Sequence, residues 1–336
     1  MNKRLFLTSL SAALMTLGFA APAAAQAWKP NKPINLVVPW AAGGSTDQVT
    51  RVAAAEMEKA LGQTIVIVNQ PGASGAIGTK SAMDAAKDGY TWTAGAAQDL
   101  GAYQALGSVN TSIKDWHLFL NVANIQVIGV NPSRPWKTAK ELLDDMKARP
   151  GQISVATAGV TSAAHAAMDQ IVKATGVKYK EVSYDGGNPA VVAVVAGEAD
   201  LTTQLAVEQA DMIRGKRLRP LAVVGDKPLE LEGFGTIPPL SATVPGFSAP
   251  PNYFGIFIPK GVPDDVVKTV EKIWNEQMPK SEALKKYATS RGALFLPLSG
   301  DAAQKAVFPA VQANAWNLHA SGKTKVAPDT VGIPKP

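Results

Sequence analysis

Two glycine-rich stretches, residues 36–47 and 65–78, contain the residues whose types and spacing could do chemistry. Each begins as a short apolar run, breaks into a loop of Pro, Gly and Ala, and leads into a segment typical of a helix. Backbone N–H groups at a helix start lack partners within the helix, and the helix dipole makes that end positive, so such a loop can bind an anion. One loop of this kind is usually an ordinary strand-to-helix turn. Two of matching design favour an anion site at one edge of a sheet.

Other residue types that support catalysis or metal binding do not form a recognisable site. His117, His165 and His319 are far apart and lack the HExxH spacing of zinc proteases. The chain has no Cys, which excludes thiolate chemistry, Cys-based metal sites and disulfides. It lacks the phosphate-binding P-loop motif GxxxxGK[ST] and the hydrolase motif GxSxG. Residues 72–78 match the dinucleotide-binding motif GxGxxG poorly. The sequence therefore predicts no metal and no cofactor, while a Ser–His–Asp triad stays open.

Short apolar strands alternate with helical segments along the chain, a pattern typical of mostly parallel sheets covered by helices. Strands are predicted at 34–39, 65–69, 90–95, 153–157, 179–184, 200–205, 219–224 and 253–259, with two more inside 116–131. Helices are predicted at 47–61, 77–86, 138–149, 162–175, 190–196, 207–214, 264–277 and 281–290. The residues from 323 onward are expected to lie loosely on the surface.

The first residues have the features of a secretory signal peptide. Lys3 and Arg4 precede an apolar stretch, and small residues follow it up to Ala25. We predict a signal peptide at 1–25, cleaved near Ala25, and export to the periplasm. An uncleaved anchor is the alternative, but the apolar stretch is short for a membrane span.

The length suits two α/β domains. The formal charge of +6 favours small anions as ligands. Lysines and arginines are dispersed and form no basic, aromatic-interleaved strip, which indicates no nucleic-acid partner.

Several motifs resemble those of one protein family. PWAAGGSTD at 39–47, NQPGASGAIG at 69–78 and KDGYT at 87–91 look like the hallmark run of the Bug receptors, the extracytoplasmic solute-binding proteins of tripartite tricarboxylate transporters. Further similar motifs are His165 with Asp169, VSYDGGNPA at 182–190, RGKRLRPLAV at 214–223 and PKGVP at 259–263. The resemblance runs from about residue 32 to about residue 292.

The resemblance implies an α/β, type 2 periplasmic-binding-protein fold, in which two α/β lobes are joined by a hinge and the ligand cleft lies between them. The first lobe would comprise residues 26–125 and 250–336, and the second residues 126–249. In that family the two glycine-rich loops hold one ligand carboxylate, and Asp47 would mainly order its loop. The implied ligand-binding residues on this side are Trp40, Ala42, Gly43, Gly44, Ser45, Asp47, Ser74, Gly75, Ala76 and Ile77.

Selectivity would come from the opposite side of the cleft. The candidates there are Ala97, Gln98, Thr161, Ser162, His165, Tyr184, Asp185 and Gln204. The chain departs from the common family pattern at Trp40, where Phe is usual, at residues 96–98, and at Asp185, where Lys or Arg is frequent. Without a Lys or Arg at position 185, a tricarboxylate such as citrate is disfavoured, and a dicarboxylate or an aromatic carboxylate is favoured. The alternative for Asp185, a solvent-facing or helix-capping residue, is equally open.

The resulting prediction is a monomeric periplasmic receptor, not an enzyme. It would capture a small organic carboxylate and deliver it to the permease subunits of a tripartite tricarboxylate transporter. Two alternatives remain, a component that presents ligand to a membrane histidine kinase and a periplasmic α/β hydrolase. The sequence does not separate transport from sensing, because both use the closed, loaded form.

Overall fold

A computed structural model describes residues 28–336, so the predicted signal peptide at 1–25 lies outside the described residues. The strands are β1 (Ile34–Val38), β2 (Ile65–Asn69), β3 (Thr91–Ala96), β4 (Trp116–Asn124), β5 (Val127–Val130), β6 (Ser154–Thr157), β7 (Lys180–Ser183), β8 (Leu201–Thr202), β9 (Arg219–Val223), β10 (Leu229–Leu231), β11 (Gly235–Ile237), β12 (Asn252–Pro259) and β13 (Ala293–Ser299). The α-helices are α1 (Ser45–Leu61), α2 (Ala76–Asp84), α3 (Ala97–Leu106), α4 (Ala139–Ala148), α5 (Ala163–Thr175), α6 (Gly187–Ala196), α7 (Ala206–Arg214), α8 (Asp264–Glu276), α9 (Glu282–Arg291) and α10 (Gly300–Ala320).

Two large sheets organise these elements into two lobes, and β10 and β11 pair antiparallel in a separate two-stranded sheet. The first sheet has the strand order β13-β4-β12-β3-β1-β2, and the second has the order β7-β6-β8-β5-β9. In the first sheet β1 pairs in parallel with β2 and β3, whereas β12 runs antiparallel to β3 and β4. In the second, β6 is parallel to β7 and β8, and β5 is antiparallel to β8 and β9. Both sheets are therefore mixed, and the prediction of mostly parallel sheets is wrong.

The apolar patterns explain why these elements form where they do. The strand β1 is almost continuously apolar because helices cover the first sheet, and it is buried at four of its five positions. The helix α8 presents Val266, Val270, Ile273 and Trp274 on one buried face, with the spacing of an amphipathic helix. Trp274 is fixed there because its Nε1 donates to the Leu120 carbonyl over 2.8 Å.

The chain crosses between the two sheets twice, just after β4 and again between β9 and β12. Strands of the first sheet therefore come from both ends of the described chain, and those of the second come from its middle. The lobe boundaries at 125/126 and 249/250 stay predictions.

Three features differ from the sequence predictions. The helices α3 and α10 lie outside the predicted set; α10 contains Pro309, which normally signals a break. The strands β10, β11 and β13 were likewise not predicted. The tail is not loose, because Lys325 N donates to Ala105 O over 2.8 Å and Trp316 Nε1 donates to Ile333 O over 3.1 Å. Ile333 is buried against the first lobe.

Candidate functional site

A small cavity lies between the lobes where the first turns of several helices meet. The space in it that the centre of a water molecule can occupy is about 30 Å³. Helices α1, α5, α6 and α7 each contribute residues from their first turns, so N–H groups and partial positive charges surround the cavity. The lining residues are Trp40, Gly44, Ser45, Thr46, Ala96, Asp99, Ala158, Ser162, Ala163, Gly187, Gln204, Leu205, Glu208 and Phe254.

Asp47 orders the first glycine-rich loop from within α1. Its Oδ2 accepts from Gly43 N over 2.9 Å and from Arg51 Nε over 3.0 Å, and its Oδ1 accepts from Arg51 Nη2 over 2.8 Å and from Asn69 Nδ2 over 3.1 Å. Burial opposes ionisation of this carboxyl group, but these hydrogen bonds outweigh it and lower the pKa of Asp47. The loop can turn tightly because Gly43 adopts a φ of +82°.

The second glycine-rich loop is held against both lobes through Ser74. The Ser74 carbonyl accepts from Tyr103 Oη over 3.0 Å and from Thr161 Oγ1, on the other lobe, over 2.8 Å. Gly75 has a φ of +85°, and a Cβ there would lie 2.6 Å from Tyr103 Oη and 3.1 Å from the Trp40 ring. Glycine is therefore needed here for backbone conformation and for space.

Glu208 links α7 of the second lobe to the first turn of α1 in the first lobe. Its Oε1 accepts from Ser45 N over 2.9 Å. In the amide orientation that satisfies its neighbours, Gln204 donates to Glu208 Oε2 over 3.1 Å and accepts from Ala158 N over 3.2 Å. The carboxylate fits because Gly187 has no side chain, since a Cβ there would collide with it. Burial raises the pKa of Glu208, and the bonds from Ser45 partly oppose that shift. The Ser45–Glu208 and Ser74–Thr161 hydrogen bonds both join the two lobes, so the lobes are closed on each other in this structure.

Asp99 is the second acid in the cavity wall. It lies in the first turn of α3 and is 5% exposed. Its Oδ1 has no hydrogen-bond partner among the described residues. Burial raises the pKa of this carboxyl group well above its ordinary value.

His165 belongs to a neighbouring pocket and not to the cavity. Its Nδ1 lies 2.7 Å from Glu181 Oε1, and its Nε2 lies 3.4 Å from Asp169 Oδ2, an ion-pair distance without hydrogen-bond geometry. Burial opposes its charge, but the two carboxylates outweigh burial and raise the pKa of His165 to about 9. These groups line a pocket of about 590 Å³ between α5 and the end of α10.

The structure brings some of the predicted ligand-binding residues together at the cavity and leaves others outside it. Those that line it are Trp40, Gly44, Ser45, Ser162 and Gln204. Those that support the two loops or the lobe contact are Gly43, Asp47, Ser74, Gly75 and Thr161. Ala76 and Ala97 pack in the core of the first lobe, while Ala42 and Ile77 have exposed side chains.

The remaining predicted residues face elsewhere. Gln98 lies in a separate small pocket lined by other amides. Tyr184 Oη is 3.4 Å from Glu198 Oε2, and Asp185 is exposed, so the structure does not bring either residue to the cavity.

The cavity residues that sequence reasoning missed had weak signals. Asp99 directly follows Gln98, and Glu208 lies four positions after Gln204, one turn further along the chain. Gly187 lies two positions after Asp185 in the motif at 182–190. Among residues 28–336, no cluster of His, Asp or Glu could hold a metal ion, and no helix is long and apolar enough to cross a membrane.

Comparison with known proteins places these features in context. A family model described as "Tripartite tricarboxylate transporter family receptor" matches residues 49–317. Protein BugT of Bordetella pertussis is 31% identical over 304 residues, which cover 87% of this chain and 90% of that protein. The structure of periplasmic binding protein BugD has a TM-score of 0.79 at 27% identity, covering 88% of this chain and 99% of that one. The malate-bound structure of MatC from Rhodopseudomonas palustris has a TM-score of 0.75 at 25% identity, covering 87% and 99%.

Proposed function

The chain belongs to the tripartite tricarboxylate transporter receptors, the Bug-type periplasmic solute-binding proteins, and we propose that it captures a small organic carboxylate between its lobes for delivery to a membrane permease. Members of this family are receptors and not enzymes, which removes the hydrolase alternative. The two-lobe α/β fold expected from the resemblance is likewise confirmed by the structural neighbours.

One observation carries the proposal, the convergence of helix starts from both lobes on one cavity. A ligand carboxylate there would accept hydrogen bonds from N–H groups of α1 and α5, and the partial positive charges of the helix ends would offset its charge. Trp40 and Phe254 supply apolar wall for methylene groups or a ring.

Hydrogen bonds join the two lobes in this structure, so we propose that the lobes separate to admit the ligand and then close again. A ligand that contacts both lobes favours the closed form by its differential affinity. The Ser45–Glu208 and Ser74–Thr161 contacts between the lobes would then break and re-form in each cycle.

For the ligand class we propose a dicarboxylate or an aromatic carboxylate. The malate bound to MatC supports the first, and the flat face of Trp40 in the cavity wall supports either. We also propose that the mature chain acts as a monomer in the periplasm after cleavage near Ala25.

The experiment is a thermal-shift screen of small carboxylates, because a ligand that binds the folded state raises the melting temperature. The Gly44→Leu variant should fold yet lose the shift, since Gly44 has an ordinary φ of −73° and its side chain would enter the cavity. Ala42→Leu is the matched control, because Ala42 is in the same loop but exposed. Equal shifts in Gly44→Leu and wild type would refute the site.

A further inference from the structure

Asp99 is a buried carboxylic acid in the wall of a cavity that is itself proposed to bind a carboxylate. Its Oδ1 is buried, lacks a partner among the described residues and belongs to a side chain that lines the cavity. A buried polar atom normally has a hydrogen-bond partner, since leaving one unmet costs free energy. The partner that the Asp99 carboxyl group lacks would therefore come from a ligand group in the cavity that donates a hydrogen bond.

The other charged groups around the cavity also favour a ligand that donates a hydrogen bond to Asp99. Glu208, 9% exposed, is the other acid in the wall, and donors from Ser45 and Gln204 already satisfy it. Within the described residues the lining contains no Lys, Arg or His. The helix starts can therefore offset the charge of one ligand carboxylate, but no cation is present to offset a second one.

This arrangement discriminates between ligands by their far end, which is the end opposite the carboxylate held at the helix starts. Asp99 and a second ionised carboxylate cannot both be charged in this poorly solvated space, because like charges repel strongly there. The second carboxylate could lie there only by sharing a proton with Asp99. An ammonium or a carboxamide brings its own proton to the Asp99 carboxyl group.

We propose that Asp99 selects ligands with one carboxylate and a far group that donates a hydrogen bond, an ammonium or a carboxamide, over dicarboxylates of the same length. The inference rests on the proposed capture of a small carboxylate, and it replaces the dicarboxylate suggested by the family likeness with a monocarboxylate as the preferred ligand. Trp40 and Phe254 would contact the apolar part between the two ends.

The test is isothermal titration calorimetry with three matched ligand sets. Each set contains a dicarboxylate, its monoamide and the corresponding amino acid: succinate, succinamate and 4-aminobutyrate; adipate, its monoamide and 6-aminohexanoate; terephthalate, its monoamide and 4-(aminomethyl)benzoate. In the set that fits the cavity, the wild type should bind the amino acid or the amide at least about tenfold more tightly than the dicarboxylate.

Asp99→Asn is the decisive variant, with Asp185→Asn, an exposed Asp-to-Asn change, as the matched control. Asn at this position can donate to a carboxylate, so the dicarboxylate should gain about tenfold in affinity while the amino acid loses a similar factor. A misfolded variant would not bind the dicarboxylate more tightly, so this gain distinguishes a change in selectivity from a folding defect.

The outcomes separate the two proposals. If the wild type binds none of the probes, the proposed carboxylate receptor and this inference both fail. If it binds the dicarboxylates as tightly as their matched amides and amino acids, only the role of Asp99 fails. An unchanged preference in Asp99→Asn would also overturn Asp99 as the selecting group.

Discussion

Replacing Asp47 tests how the first glycine-rich loop is ordered. The carboxylate accepts hydrogen bonds from Gly43 N and Asn69 Nδ2 and from two nitrogens of Arg51. Asp47→Ala would leave these donors without their shared acceptor. The loop would then lose the contact that fixes Gly43 above α1.

The loss in the free energy of unfolding can be estimated from how exposed each hydrogen-bond partner of Asp47 is. A hydrogen bond to a charged acceptor contributes about 1.5 kcal/mol or more, which applies to Gly43 and Asn69. The Arg51 side chain is 53% exposed, so solvent screens its ion pair and we assign it about 0.5 kcal/mol. Asp47→Ala should therefore lower the free energy of unfolding by about 3.5 kcal/mol, and Asp47→Asn, which retains an acceptor, by about 1 kcal/mol.

Urea unfolding at pH 7 measures both values, with Asp185→Asn as a control for removing an exposed acid. Because the folded-state pKa of Asp47 is lowered, its contribution is present above the unfolded-state pKa and is lost as pH falls through the folded-state pKa. The difference between wild type and Asp47→Asn should therefore shrink in acid. A change below about 0.5 kcal/mol for Asp47→Ala at pH 7 would refute the ordering role.

Three further predictions concern the second loop, the neighbouring pocket and the lobe contact. Gly75→Ala should lower the melting temperature and weaken carboxylate binding, because its Cβ would meet Tyr103 Oη at 2.6 Å; an unaltered affinity would contradict the placement of that loop. Because its folded-state pKa of about 9 exceeds the ordinary 6.5, the contribution of His165 to stability is complete below pH 6.5 and is lost as pH rises through about 9. Denaturation in urea at several pH values should show that loss, and His165→Gln should lack it; parallel curves would argue against the ion pairs. Gly187→Ala should displace the Glu208 carboxylate and favour separated lobes, so small-angle scattering should give a larger radius of gyration than for wild type, and equal radii would speak against this contact as a link.

The sequence alone determined the elements with strong local signals. The strand β2 was predicted at its observed bounds, and β1 and α1 within two residues, because apolar runs and glycine breaks are properties of a few neighbouring residues. The two loops were predicted as helix starts for the same reason, and the motifs at 39–47 and 69–78 by themselves indicate the family.

The tertiary structure alone decided which side chains share the cavity. Asp185 and Glu208 are both acids next to helix starts on the second lobe, yet Asp185 is exposed and Glu208 bonds to Ser45. No local pattern distinguishes them, because the difference depends on how the two lobes meet and on the space that Gly187 leaves. Asp99 was equally ambiguous, since its role depends on α3 packing with its first turn at the cavity. Contacts between residues far apart in the chain are set by packing, and packing determined the chemistry of this site.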